Sequence, residues 1–243
     1  MRIDTHCHID RFPNPSEIAD DCEANGLLVV AVTNLPSHFE LGREHVAHHK
    51  FVKLALGLHP LNAANHNEEV ERFVELLPIA ECIGEIGLDF SKEGISSRDE
   101  QISVFTSILK ALKGERKLIT LHSRGAEAMV LSKLAEYDVG PAIFHWYSGS
   151  ANTLKSVLDQ GHYLSVNPAM VRSAKGKSLV GRLPKDRILT ETDGPYVKVG
   201  KRAAVPNDID SVLQHLAVEW NATTAEVENT IESNFMALTD LTA

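Results

Sequence analysis

Leu27-Leu28-Val29-Val30-Ala31-Val32 is the stretch that decides the fold. It is an unbroken apolar run rich in β-branched side chains, with no polar residue to mark a solvated face. A strand wetted on one side alternates apolar and polar residues. A strand that does not alternate is buried on both faces, as strands are in a parallel sheet covered by helices. Working outward, amphipathic helical patterns flank it, over 16–24 before and 39–48 after. The rhythm then repeats. Strands are predicted over 2–8, 27–33, 52–59, 82–89, 117–122, 142–147, 163–166 and 188–192. Helices are predicted between them over 16–24, 39–48, 68–77, 98–113, 126–137 and 151–160, with a short one near 177–182. Two more, over 208–220 and 224–238, close the chain.

Strand–helix alternation means right-handed βαβ units and a parallel sheet. Eight strands in this order favour an α/β fold of the closed (β/α)8 TIM-barrel type, one domain over 1–243. No G-x-G-x-x-G or Walker A motif opens a helix, which argues against the open nucleotide-binding sheets.

Acidic residues outnumber basic ones, 33 to 24, for a formal net charge of −9. That sum alone weighs against a nucleic-acid partner, but charge placement matters more than the total. The acids gather in helices, as in Asp20-Asp21-Cys22-Glu23. No apolar run approaches the ~20 residues of a membrane helix, and the start carries no secretory h-region, so a cytoplasmic protein without a membrane partner is expected. Cys7, Cys22 and Cys82 are odd in number and widely spaced, which fits neither a disulfide framework nor a zinc knuckle.

In a parallel barrel the C-terminal strand ends form the active mouth. Reactive residues collect there. Strand one ends Asp4-Thr5-His6-Cys7-His8, and alternation puts Asp4, His6 and His8 on one face. Two imidazoles so spaced can chelate one cation, whereas Cys7 points the other way and packs. Strand three ends Gly57-Leu58-His59-Pro60; His59 could contact substrate, orient a ligand or be a structural histidine beside a turn. Strand four carries Gly84-Glu85-Ile86-Gly87-Leu88-Asp89. An unpaired carboxylate at Glu85, inside so apolar a strand, would cost several kcal/mol. A cation would neutralise it, and one carboxylate can bridge two. Asp89 reads as a loop cap or salt-bridge partner. Strands five and six contribute Leu121-His122-Ser123-Arg124 and Phe144-His145-Trp146-Tyr147. Strand eight ends Glu191-Thr192-Asp193-Gly194-Pro195, where Asp193 can hold a metal and accept a proton from water while Glu191 supports it.

His6, His8, Glu85, His122, His145 and Asp193 are too many for one catalytic zinc, which takes three protein ligands. They suit two divalent cations, and mixed imidazole and carboxylate donors admit Zn, Mn, Fe or, less naturally, Mg. Asp193 and Glu85 are the carboxylates expected to serve the reaction. Basic residues follow strands seven and eight: Arg172, Lys175 and Lys177, then Lys198, Lys201 and Arg202. With Arg124 they predict a basic rim for an anionic substrate, or else ordinary solvated loop charge. Tyr147, Trp146 and Tyr196 could stack on a base or simply pack.

These motifs, in this order, resemble the TatD family of metal-dependent deoxyribonucleases within the amidohydrolase-like superfamily. The resemblance runs from Arg2 to the terminal Asn234-Phe235-Met236-Ala237-Leu238. It implies a TatD-type DNase that hydrolyses DNA phosphodiesters with two divalent metal ions (Mg, Mn or Zn), often as an exonuclease from the 3′ end. DNA, single-stranded or with a free 3′ end, is the implied partner. It further implies that His6, His8, Glu85 and Asp193 hold one ion, and Glu85, His122 and His145 the other. His59, Arg124, Tyr147, Arg172, Lys201 and Arg202 are the expected substrate contacts. Within the family, His145 to Ser150, Ser165 to Met170 and Leu189 to Pro195 are most similar to the TatD-like component of the bacterial Qat anti-phage system, which implies other Qat defence proteins as partners. The segment 167–176 departs from the housekeeping pattern, and the loop after Asp89 is short. Two rival readings share the metal site: a hydrolase of small amide, lactone or phosphoester substrates, and a binding subunit of a defence complex with a non-catalytic metal site.

Overall fold

The computed structural model describes residues 1–65 and 68–242. Eight parallel strands, β1 (Ile3–Cys7), β2 (Leu28–Val32), β3 (Val52–Leu56), β4 (Cys82–Gly87), β5 (Leu118–His122), β6 (Ile143–Phe144), β7 (Tyr163–Val166) and β8 (Ile188–Thr190), pair in chain order. The helices are α1 (Pro15–Ala24), α2 (Pro36–Val46), α3 (Glu69–Leu76), α4 (Arg98–Leu112), α5 (Glu127–Tyr137), α6 (Ala151–Asp159), α7 (Ala174–Val180), α8 (Ile209–Trp220) and α9 (Thr224–Thr242). The architecture is a nearly closed (β/α)8 barrel. Among the described residues no helix is long and apolar enough to cross a membrane.

The seam between β8 and β1 is closed largely by side chains. The Thr5 hydroxyl donates to the Thr190 carbonyl at 3.1 Å, and the Thr190 hydroxyl returns a bond to the Ile3 carbonyl. Past the end of β8, Asp193 N donates to His6 O at 2.9 Å, and His8 N donates to Gly194 O at 2.8 Å. Buried Asp4 accepts from both the backbone and the hydroxyl of Thr192. The seam thus fixes His6, His8 and Asp193 relative to one another.

The run that set the fold behaves as its pattern requires: Val29, Val30, Ala31 and Val32 are all buried. Alternate residues serve two cores. Val30 and Val32 join the main one, whereas Val29 and Ala31 pack with Cys7, Cys22 and Ile209. All three cysteines are buried and unpaired, so they act as small apolar fillers.

Most strands end earlier than their apolar runs. The strand expected over 142–147 pairs only at Ile143–Phe144, because the backbone turns to a left-handed φ of +37° at Trp146. His8, His59, Asp89, His145, Glu191 and Asp193 consequently stand on the first loop residues above the barrel. Helix α2 starts at Pro36 rather than 39, with proline at a helix position that needs no N–H donor. Helix α7 starts at Ala174 rather than 177, because the Ser173 side chain accepts from Gly176 N at 3.0 Å and caps it.

Candidate metal centre

The Glu85 side chain points into the mouth and is almost fully buried, 2% exposed. Two glycines let its neighbours close around it. A Cβ on Gly57 would collide with the Thr33 carbonyl and the Glu85 backbone, and one on Gly87 with the His122 carbonyl. β3 and β5 can therefore bring His59 and His122 up against β4.

Five imidazoles surround the carboxylate, and they divide between its two oxygens. Oε2 faces His8 Nε2 at 3.3 Å, His59 Nε2 at 3.5 Å and His6 Nε2 at 3.6 Å. Oε1 faces His122 Nδ1 at 2.6 Å and His145 Nε2 at 3.0 Å. Asp193 joins the first set, its Oδ1 lying 3.7 Å from His8 Nε2. Potential donor atoms of His6, His8 and Asp193 lie within 4.8 Å of one another, as do those of His6, Glu85 and His145 and those of His59, Glu85 and His122.

The surroundings orient these rings. His6 Nδ1 is 2.8 Å from the Thr120 hydroxyl, which turns Nε2 toward Glu85. His122 Nε2 bonds Asp89 Oδ2 at 2.8 Å, leaving Nδ1 for the centre. A carboxylate behind a ligating imidazole fixes its tautomer and raises its basicity. Asp89, expected as a loop cap or salt-bridge partner, is thus paired with His122 and supports it. Its place two and four residues past Gly87 and Glu85, on the same strand face, was the available signal.

Burial pushes the Asp193 carboxyl up to about 7, and the nearby His145 and His8 offset this only in part. Burial lowers His6 to about 4 and His59 to about 3, so both rings are neutral near pH 7. Burial also opposes charge on Glu85, but His59, His122, His145 and His6 outweigh it and hold the carboxyl well below its usual range. Glu85 in turn raises His122 and His145 against the same burial. A buried carboxylate stabilised by surrounding imidazoles is a charge awaiting a cation, and cation binding would displace the protons that otherwise balance it.

The donor set fits divalent metal. The buried His6 Nε2 has no hydrogen-bond partner. Such atoms are rare in folded proteins unless an ion, water or ligand completes them. The His6 nitrogen faces the Glu85 carboxylate directly, where a cation would satisfy both.

The cleft above the cluster has a volume of about 630 Å³ and is walled by the centre together with Asn34, Asn62, Glu93, Arg124, Trp146 and Tyr196 among others. Of the expected substrate contacts, His59 and Arg124 are in its wall, and His59 is also placed to ligate. Tyr147, Arg172, Lys201 and Arg202 are not in the wall. Tyr147 is buried, its hydroxyl donating to Ser150 O at 2.9 Å. Arg202 forks onto Asp208 at 2.6 and 2.7 Å, Arg172 donates to the Lys198 carbonyl, and Lys201 sits exposed at the turn between β9 (Lys198–Val199) and β10 (Arg202–Ala203). Even Arg124 is paired, with Glu93 at 3.2 Å. The basic rim expected from the sequence is largely engaged in local structure.

Residues 3–240 match the family of TatD related DNases. The chain belongs to the TatD family. It is 28% identical to an uncharacterized metal-dependent hydrolase of Methanocaldococcus jannaschii, over 96% of this chain and 94% of that one. It is 29% identical to the 3'-5' ssDNA/RNA exonuclease TatD of Pectobacterium carotovorum, over 68% of each chain. The TatD homologue YJJV of Escherichia coli superposes with a TM-score of 0.86 at 23% identity, covering 98% of this chain and 97% of that one, which confirms the barrel. Membership makes this TatD protein a metal-dependent hydrolase of the DNase class, and the clusters described above are candidate sites for its metal.

Proposed function

We propose that this TatD protein removes nucleotides from the 3′ end of single-stranded DNA, using two divalent cations that share Glu85. The observation that carries the reading is the division of imidazoles between the two Glu85 oxygens. His6, His8 and Asp193 would hold one ion with Oε2, and His122 and His145 the other with Oε1. His59, on the Oε2 side, is a further candidate ligand. Bound divalent ions lower the pKa of a water and offset charge growing on the scissile phosphate.

The chain's own groups supply the rest. Asp193 accepts the proton of the attacking water, and a carboxyl with an affinity near neutrality suits that role. Asp89 holds His122 in one tautomer. Glu191 lies 3.7 Å from His145 Nδ1 and is itself fixed by Asn167 and Ser165. Arg124, the one expected cation in the cleft wall, positions the substrate phosphate by exchanging Glu93 for it.

The 3′ polarity and the single-stranded substrate draw support from the similarity to the Pectobacterium exonuclease. Action beside other Qat proteins in anti-phage defence draws support only from the three segments 145–150, 165–170 and 189–195. Digestion of end-labelled single- and double-stranded oligomers with Mg, Mn or Zn tests the reading. Shortening from the 3′ end, abolished by chelator, is expected. A His6→Ala protein that cuts as fast as the parent would overturn it, and cleavage only of p-nitrophenyl esters or amides would move the assignment to a small-molecule hydrolase.

A further inference from the structure

Among the described residues, only two aromatic side chains count as exposed, Trp146 at 39% and Tyr196 at 55%. Both stand in the wall of the metal cleft. Large apolar surface left open to water usually marks a place where something binds.

Trp146 is held in its position by force. Its φ of +37° lies in the left-handed region that a bulky residue avoids. Such a residue persists only where its surroundings over-determine it, and such sites gather around ligands. Here the restraint is Glu191, whose Oε1 accepts from Trp146 N at 3.0 Å and from Asn167 Nδ2 at 2.9 Å, while Ser165 binds the other oxygen. The forced turn sends the indole into the cleft and the following Tyr147 into the core. It also places the indole next in sequence to His145, which touches Glu85. On the loop after β8, Tyr196 packs nearly perpendicular to the His8 ring, with centroids 4.9 Å apart at 86°.

The charges of the cleft point the same way. Its wall carries Glu85, Asp89, Glu93 and Asp193 against a single arginine that is already paired. Beyond the metal centre and Arg124 the wall offers a polyanion no basic groove, so contacts to the bases are where further affinity can come from. Every nucleobase has a π-face, and aromatic platforms bind single strands with little sequence preference. A base inside a duplex is already stacked and paired, and would have to fray first.

We propose that Trp146 and Tyr196 form a nucleobase-stacking subsite that seats the unpaired terminal nucleotide beside the metal centre and selects frayed or single-stranded ends. This rests on the nuclease reading of the centre and names what that centre recognises.

The test uses the metal-loaded full chain and short oligothymidylates ending either in a normal nucleotide or in one lacking its base. Trp146→Ala should raise KM for the normal end by about ten- to a hundredfold, the usual worth of one stacked base, with a much smaller fall in kcat. Trp146→Phe should restore most of it, and Tyr196→Ala should raise KM less. The base-less end should carry a similar penalty in the parent, and combining it with Trp146→Ala should add little. Binding is read separately from quenching of tryptophan fluorescence by thymidine monophosphate, with Trp220 as the internal reference. Quenching is expected in the parent and should vanish in Trp146→Phe. Unchanged KM in Trp146→Ala, or equal penalties that simply add, would overturn the subsite. Quenching without any cleavage would keep the subsite and remove the nuclease reading, whereas cleavage without quenching would do the reverse.

Discussion

Two clusters of histidine and carboxylate in this molecule have nearly the same composition and very different surroundings. Asp20, His48 and His49 bring potential ligand atoms within 4.8 Å of one another, as His6, His8 and Asp193 do. The first lies on α1 and on the loop leading into β3, at the end of the barrel opposite the mouth. There Asp20 keeps 70% of its side chain in water, and one contact, His49 Nε2 at 2.9 Å, is its whole pairing with the cluster. With Asp20 still hydrated, a pair of that kind contributes little. At the mouth the carboxylate of Glu85 has lost its water, and five imidazoles have taken its place. Burying such a charge costs several kcal/mol unless it is matched. Close spacing of ligand types is therefore common to both clusters, and the buried carboxylate is what sets the candidate metal centre apart.

The comparison can be broken in several ways. The largest effect is expected from Asp193→Asn, which should lower kcat on DNA by about 10²- to 10⁴-fold, the usual range for loss of a general base. An unchanged far-ultraviolet circular dichroism spectrum would show that the fold survives. Next, Glu85→Gln should strip the protein of tightly held divalent metal after desalting, measured by plasma mass spectrometry. Asp20→Asn should leave the metal content at the parent value, and a loss there would erase the distinction between the clusters.

A smaller effect should appear in stability. Metal at a hundred times its Kd stabilises by about 2.7 kcal/mol, which for a chain of this size raises Tm by roughly 5–10 °C. Chelator should reverse that shift in the parent and in Asp20→Asn but find nothing to reverse in Glu85→Gln. Calorimetry reads this directly.

The smallest effect sharpens the contrast from a third site. His162 is buried outside the mouth, and burial alone lowers its pKa to about 4 from the ordinary 6.5. Its Nδ1 accepts from Ala142 N at 3.1 Å. Above pH 6.5 the ring is neutral folded or unfolded, so it has no effect on the pH dependence. As pH falls toward 4 the unfolded chain takes up the proton first, and stability is lost, by up to about 3 kcal/mol. His162→Asn keeps an acceptor in place and cannot titrate, so its urea midpoint should decline less than that of the parent over this window. Equal declines would mean the ring is not held neutral.

Much of this was readable from the chain. The unalternating run at 27–32 and the strand–helix rhythm specify a barrel, because burial on both faces leaves a plain mark on composition. His6, His8, Glu85, His122, His145 and Asp193 were legible because polar residues at the ends of apolar strands stand out. What was not legible depends on geometry between distant segments. Asp89 and Glu191 were expected as a salt-bridge partner and a supporting carboxylate, but their engagement of His122 and Trp146 was not expected. Arg202 finds Asp208, and Tyr147 turns inward because Glu191 pins the preceding residue in a conformation no local pattern announces. The basic rim was left open between a substrate surface and solvated loop charge, because counting loop charges does not reveal which are already paired, as Arg172, Arg202 and Arg124 are.

The most direct single measurement is anomalous scattering from a crystal of the protein equilibrated with manganese. Two peaks should appear at the mouth, one near each Glu85 oxygen, flanked by His6, His8 and Asp193 on one side and His122 and His145 on the other, with none of comparable height at Asp20, His48 and His49. A mouth without metal, or manganese held only at the outer cluster, would contradict the account.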